Sequence, residues 1–182
     1  MRLGLYGGTF DPIHNGHLHV ITQLLSQNIV DRILLVPAGE PRLRENAPVA
    51  PGAARRAMCQ LALKDLPPEI STKVEVNPIE ILRMGPSYTI DTVEAIKQTY
   101  PDDEIVLIVG TDAYEKIDQW HRIEELLAMV TLEVIGRPGS SAAIARDIDA
   151  IDVSATQVRL HQSDQLSPSV ANYIKEQNLY VS

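Results

Sequence analysis

Arg2-Leu3-Gly4-Leu5-Tyr6-Gly7-Gly8-Thr9-Phe10-Asp11-Pro12-Ile13-His14-Asn15-Gly16-His17-Leu18 reads as a strand, a glycine turn and the start of a helix. Residues 2–6 form a short apolar run, the pattern of a buried first strand. A glycine pair at its end lets a ligand approach the backbone where a side chain would block it. His14 and His17 stand at i and i+3, which one helical turn places on the same face. The order suits a polyphosphate: backbone N–H groups and a helix N-terminus cradle the anion, and the imidazoles meet charge developing on it. Taken alone, the histidine pair also fits a metal site, a surface position or a core position.

Outward from this stretch, apolar runs alternate with helical patterns. Strands are expected over 2–6, 31–36, 73–76, 104–109 and 130–135, and helices over 16–27, 51–65, 88–99, 120–128, 154–162 and 168–177. Near-continuous apolar strands separated by helices imply a parallel sheet covered on both faces. Right-handed crossovers then give an α/β, doubly wound, Rossmann-like fold. Ligands bind such sheets beyond the carboxyl ends of the strands, where 7–17, 37–44, 110–112 and 136–139 fall. Neither Gly-x-Gly-x-x-Gly nor a P-loop is present, which argues against a standard dinucleotide oxidoreductase or P-loop ATPase. Pro37 to Pro51 is rich in Pro, Ala and Gly and reads as a loop over the site; residues 138–147 are also weakly patterned.

A length of 182 residues suits one domain, 1–182. Hydrophobic residues make up 45% and charged residues 22%, an ordinary soluble balance. No apolar run is long enough for a membrane span, and no leader pattern opens the chain. The single cysteine, Cys59, fits a reducing cytoplasm and reads as a small buried hydrophobe. A net charge of −8 argues against broad nucleic-acid binding but not against a small anionic substrate. Arg42, Arg44, Arg55 and Arg56 form a basic cluster, either an anion pocket or a solvated face.

Near the C-terminus stands Val153-Ser154-Ala155-Thr156-Gln157-Val158-Arg159. Ser154 is a good N-cap, Thr156 lies in the first turn, and Arg159 can reach an anion held at the helix start. A capped surface helix is the plainer reading of the same residues.

Gly-Gly-Thr-Phe-Asp-Pro-x-His-x-Gly-His resembles the signature of the nucleotidylyltransferase superfamily with the His-x-Gly-His motif. The resemblance implies that this motif binds the triphosphate of ATP and stabilises adenylyl transfer. The segment 153–159 resembles the superfamily's second signature, Ile-Ser-Ser-Thr-x-Ile-Arg, which binds the β- and γ-phosphates; Ala155 departs from it. Gly85-Pro86-Ser87-Tyr88-Thr89-Ile90-Asp91-Thr92 resembles the Ser-Tyr-Thr-x-x-Thr motif of bacterial nicotinate-mononucleotide adenylyltransferases. Gly110-Thr111-Asp112-Ala113 with Trp120, the turn Gly136-Arg137-Pro138-Gly139, and the ending 170–174 with Leu179-Tyr180 are similar to segments of that family. The resemblance covers nearly the whole chain. It departs at Pro41-Arg42-Leu43-Arg44, where Pro-Pro-His-Lys is usual, so Arg44 keeps the charge of a lysine with a different geometry.

The resemblance implies an enzyme joining ATP and nicotinate mononucleotide into nicotinate adenine dinucleotide and pyrophosphate. His14, His17 and Arg159 would carry catalysis. The ATP site would comprise Gly7, Gly8, Thr9, Phe10, His14, His17, Gly110, Asp112, Ser154, Thr156 and Arg159, completed by a helical C-terminal part from about 150 to 182. Arg44, Tyr88, Thr89, Trp120 and Arg137 would bind the mononucleotide. Trp120 would stack on the pyridine ring, although a core tryptophan fits the sequence as well; Asp112 would hold ribose hydroxyls or cap a helix. Mg²⁺ would be carried mainly by the ATP phosphates, with no metal held by the protein. The partners expected are these small molecules, with no nucleic acid or membrane, and a homo-oligomer stays open. The rivals are an adenylyltransferase acting on nicotinamide mononucleotide or phosphopantetheine, and a regulatory nucleotide-binding protein that has lost catalysis.

Overall fold

Alternating side chains of the central strands divide the core into two layers. Ile33, Leu35, Val106 and Ile108 face one way and pack with Ile21, Leu24, Met58 and Val170. Leu34, Val36, Ile105, Leu107 and Val109 face the other way and pack with Ile90, Val93, Ile96 and Leu126. A strand buried on both faces needs apolar residues at every position, which is why these runs lack a polar phase.

The chain is described by a computed structural model over residues 1–39, 47–136 and 143–181. Five strands form one parallel sheet: β1 (Arg2–Gly8), β2 (Arg32–Pro37), β3 (Val74–Val76), β4 (Glu104–Gly110) and β5 (Thr131–Ile135). Their order is β3-β2-β1-β4-β5. The winding therefore reverses between β1 and β4, and the crevice beyond their carboxyl ends is the ligand position of such sheets. All five strands lie where the apolar runs predict them.

The longer helices also follow the sequence: α1 (Asn15–Ser26), α2 (Gly52–Lys64), α5 (Thr89–Thr99) and α9 (Pro168–Glu176). Three single-turn helices were not expected: α3 (Pro68–Ser71), α4 (Ile79–Leu82) and α6 (Thr111–Tyr114). Two expected helices are shorter than predicted, α7 (Ile123–Met129) and α8 (Ala155–Arg159). Arg122 adopts left-handed backbone (φ 52°) and His161 does the same (φ 56°), which starts α7 late and stops α8 early. Trp120 consequently lies in extended backbone after a 3₁₀ turn (Ile117–Gln119), not in a helix.

Beside the core packing of Val170, a carboxylate ties down the C-terminal helix. Asp65, just past α2, accepts the Ser169 N–H at 2.9 Å and the Ser169 hydroxyl at 2.6 Å. Burial pushes the Asp65 carboxyl upward, but these hydrogen bonds outweigh it and hold the group below its ordinary value. Among the described residues, no helix is long and apolar enough to cross a membrane.

Candidate active site

A cavity of about 820 Å³ opens at the reversal of the sheet. Its floor is the end of β1 and β4. A Cβ added at Gly7 or at Gly110 would meet no heavy atom within 4 Å. The protein itself therefore does not demand glycine at these positions; the open space in front of them is room for a ligand. Gly8 differs, because a Cβ there would stand 2.8 Å from the Phe10 ring. Phe10 has left-handed backbone (φ 49°), costly for an aromatic residue, and its buried ring meets His17 edge-on at 4.9 Å.

That turn delivers the chain into α1, with His14 at the N-cap. The His14 N–H donates to His17 Nδ1 at 3.2 Å. A neutral His17 ring with Nδ1 accepting carries its proton on Nε2, so its far edge is a donor. The two imidazoles stack with centroids 3.7 Å apart. Both line the cavity, as do Thr9 and Asp11.

The opposite wall comes from α8. Ser154 caps it as expected: its Oγ accepts the Gln157 N–H at 3.2 Å, and Gln157 Oε1 accepts the Ser154 N–H at 2.7 Å. This box fixes the start of the helix and presents Thr156 and Arg159 to the cavity. Arg159 Nη2 donates to Thr156 Oγ1 at 3.1 Å, and Nη1 donates to the Asp11 carbonyl.

The far end is less polar. Tyr88 caps α5, and Tyr88, Thr89 and Trp120 line the cavity. Trp120 also packs against the core layer containing Val109, so it is at once a cavity-lining and a core-packed residue. Asp112 lines the cavity from the first turn of α6, whose cap is Gly110. Every expected site residue within the described chain thus borders one cavity; Arg44 and Arg137, with Arg42 and Leu43, lie outside the described residues.

Several groups escaped the sequence reading. His121 stacks on Tyr88 at 4.3 Å, and Lys116 joins the lining. Glu80 borders the cavity and accepts the Thr92 hydroxyl at 2.9 Å. Burial pushes its carboxyl above the ordinary value, against the lowering effect of Thr92 and the Gly39 N–H. Arg55 corrects the basic-cluster reading. It is buried and donates to the carbonyls of Thr9 (2.8 Å), Ala38 (2.7 Å) and Ala50 (3.1 Å), tying both flanks of the loop to the glycine turn. Cys59 is buried as expected, and burial pushes its thiol upward, so it is no nucleophile.

An open glycine floor, paired imidazoles and a guanidinium at a topological reversal suit a nucleotidyltransferase type of site. The cytidylyltransferase-like family model matches residues 5–161. The chain is 35% identical over 192 residues to the nicotinate-nucleotide adenylyltransferase of Bacillus subtilis, spanning 100% of this chain and 99% of that one. It is 37% identical to a probable nicotinate-nucleotide adenylyltransferase of Bacillus pumilus, again across 100% of this chain and 99% of the other. This chain belongs to the nicotinate-nucleotide adenylyltransferase family. The fold agrees with the Plasmodium falciparum nicotinic acid mononucleotide adenylyltransferase solved with NaAD, at TM-score 0.76 and 19% identity, covering 98% of this chain and 97% of that one.

Proposed function

We infer that this chain transfers the adenylyl group of ATP to nicotinate mononucleotide, giving nicotinate adenine dinucleotide and pyrophosphate in NAD synthesis. The observation that carries this reading is the single crevice. It joins phosphate-type donors at one end to an aromatic, helix-capped pocket at the other.

The mononucleotide's 5′-phosphate oxygen attacks the α-phosphorus of ATP in line, and the bond to pyrophosphate breaks. Such a transfer needs no protein nucleophile; it needs positioning and charge stabilisation. His17 Nε2–H and His14 face charge developing on the transferred phosphate, and Arg159 meets the leaving β- and γ-phosphates. Gly7 and Gly110 give the nucleotide access to the backbone, and Asp112 accepts from ribose hydroxyls. Guanidinium, backbone N–H and imidazole N–H suit phosphate oxygens, whereas Mg²⁺ is a hard cation that takes oxygen ligands. A Mg²⁺ ion arriving with ATP would be carried mainly by the phosphates and would offset charge on the leaving group.

At the other end, α5 runs for eleven residues from Thr89 and turns its N-terminus to the cavity. Free N–H groups at a helix start favour an anion, here the nicotinate carboxylate. Ser87 Oγ is buried there without a hydrogen-bond partner among the described residues, a further donor for that group. Trp120 stacks on the ring. The amide's NH₂ would face these donors with no acceptor, so discrimination falls to the 87–89 segment.

Steady-state pyrophosphate release with ATP and each mononucleotide tests the reading. The acid is expected to be used with at least about tenfold higher kcat/KM than the amide, since mismatched hydrogen bonding discriminates strongly. Equal use of the two would overturn the carboxylate assignment.

A further inference from the structure

Asp11 belongs to the glycine turn, yet most of its partners come from elsewhere in the chain. Its Oδ1 accepts the Tyr180 hydroxyl at 2.7 Å and the Ala50 N–H at 3.0 Å, and its Oδ2 accepts the Val49 N–H at 2.7 Å. The Arg159 guanidinium stands 3.8 Å from Oδ2, outside hydrogen-bond range. This is an unusual balance. A buried carboxylate beside a guanidinium ordinarily closes into a short, bidentate pair. Here uncharged donors occupy the carboxylate oxygens, and the arginine is held by the Asp11 carbonyl and the Thr156 hydroxyl instead. Arg159 is thus oriented while its ion pair with Asp11 stays long, without a direct hydrogen bond between the two side chains.

Tyr180 is built for this contact. Its backbone is left-handed (φ 59°), a conformation that a bulky residue adopts only when its surroundings impose it. Its ring packs against the core layer that holds α9. Burial and the bond to Asp11 raise its hydroxyl well above the ordinary range, so it stays a donor. On the far side, the ring borders a separate cavity walled by Val158, one residue before Arg159.

We propose that Tyr180, near the C-terminal end of the chain, is a positioning residue for the triphosphate: its hydroxyl occupies Asp11 and keeps Arg159 available to ATP. The proposal rests on the adenylyltransferase reading and adds to it a residue that touches neither substrate. Without the hydroxyl, Asp11 loses a donor that fixes Oδ1, the carboxylate can turn, and Oδ2 closes its 3.8 Å gap to Arg159 into a hydrogen-bonded pair. ATP must then compete with a carboxylate for the same guanidinium. The mononucleotide, bound at the other end of the crevice, is unaffected.

The test is a double-mutant cycle of Tyr180→Phe with Arg159→Ala, read on the ATP dissociation constant by titration calorimetry and on KM for both substrates. Tyr180→Phe keeps the ring and its packing, and Arg159 lies on a partly exposed helix face, so both variants are expected to fold; their melting temperatures are measured alongside. Tyr180→Phe should weaken ATP about three- to tenfold, the range of one ordinary hydrogen bond, since the effect reaches ATP only through Arg159. KM for nicotinate mononucleotide should stay within about twofold, and the ATP effect should vanish in the Arg159→Ala background. Unchanged ATP binding, an equal rise in both KM values, or the same loss with and without Arg159 would each overturn the proposal. Parent activity with ATP and nicotinate mononucleotide is measured first: its absence defeats the reaction assignment, whereas an active parent with an uncoupled Tyr180 defeats only the role of Tyr180.

Discussion

In the proposed reading His17 and Gly7 serve one ligand by different physics, and two substitutions separate them. His17 contributes a directed N–H whose tautomer is set by the His14 backbone. Gly7 contributes only emptiness, since a Cβ there meets nothing within 4 Å. His17→Ala should fold, bind ATP within a few-fold of the parent and lose about 100-fold or more in turnover, the usual cost of one transition-state donor. Gly7→Ala should melt at or slightly above the parent temperature, because alanine restricts the unfolded chain and clashes with nothing. Its loss should appear in substrate binding. Thermal melts with steady-state kinetics on both variants decide this. A Gly7→Ala enzyme with parental KM values would mean that the open floor is not where substrate lies.

At the scale of elements, the sequence discloses what is periodic or contiguous and hides what is short or distant. The five strands are visible because burial on both faces forces unbroken apolar runs. The glycine-turn side of the crevice is visible because Gly7, Gly8, His14 and His17 follow one another along the chain. Single-turn helices such as α4 contain no repeat to detect, and Arg122 interrupts a pattern that otherwise extends back to Trp120. Asp11 and Tyr180 are 169 positions apart, so their contact leaves no local trace. Glu80 is similar: it fastens α4 to α5 through Thr92 and to the end of β2 through Gly39. Its folded carboxyl lies above the ordinary value near 4.5, which the unfolded chain retains. Above that pH, the folded state holds a proton that the unfolded state has released, so stability falls as pH rises through the window. Glu80→Gln removes this dependence while keeping an acceptor for Thr92. The melting temperature of Glu80→Gln minus that of the parent should therefore climb between about pH 4 and pH 7. A difference that stays flat would show that burial of Glu80 carries no protonation cost.

For the molecule as a whole, the crevice is the place where separately folded stretches meet. Its walls come from the β1 turn, the β4 end with α5, and α8 near the C-terminus. No one of these stretches forms the pocket alone, so a nucleotide that bridges them binds only the folded chain. Binding of that kind stabilises by mass action: at about 100 times the dissociation constant the gain is roughly 2.7 kcal/mol. For a domain of this size, each kcal/mol moves the melting temperature by about 2–4 °C, so saturating ATP should raise it by about 5–10 °C. Nicotinate mononucleotide, assigned above to the α5 end, should add a further rise when supplied with a non-hydrolysable ATP analogue. Arg159→Ala should sharply reduce the ATP component and leave the mononucleotide component intact, because the two ends of the crevice are served by different elements. Scanning calorimetry on parent and variant with each ligand measures the components separately. An ATP shift of the same size in both proteins at equal ligand concentration would remove Arg159 from the nucleotide site, and with it the part assigned to the C-terminal stretch from about 150 to 182.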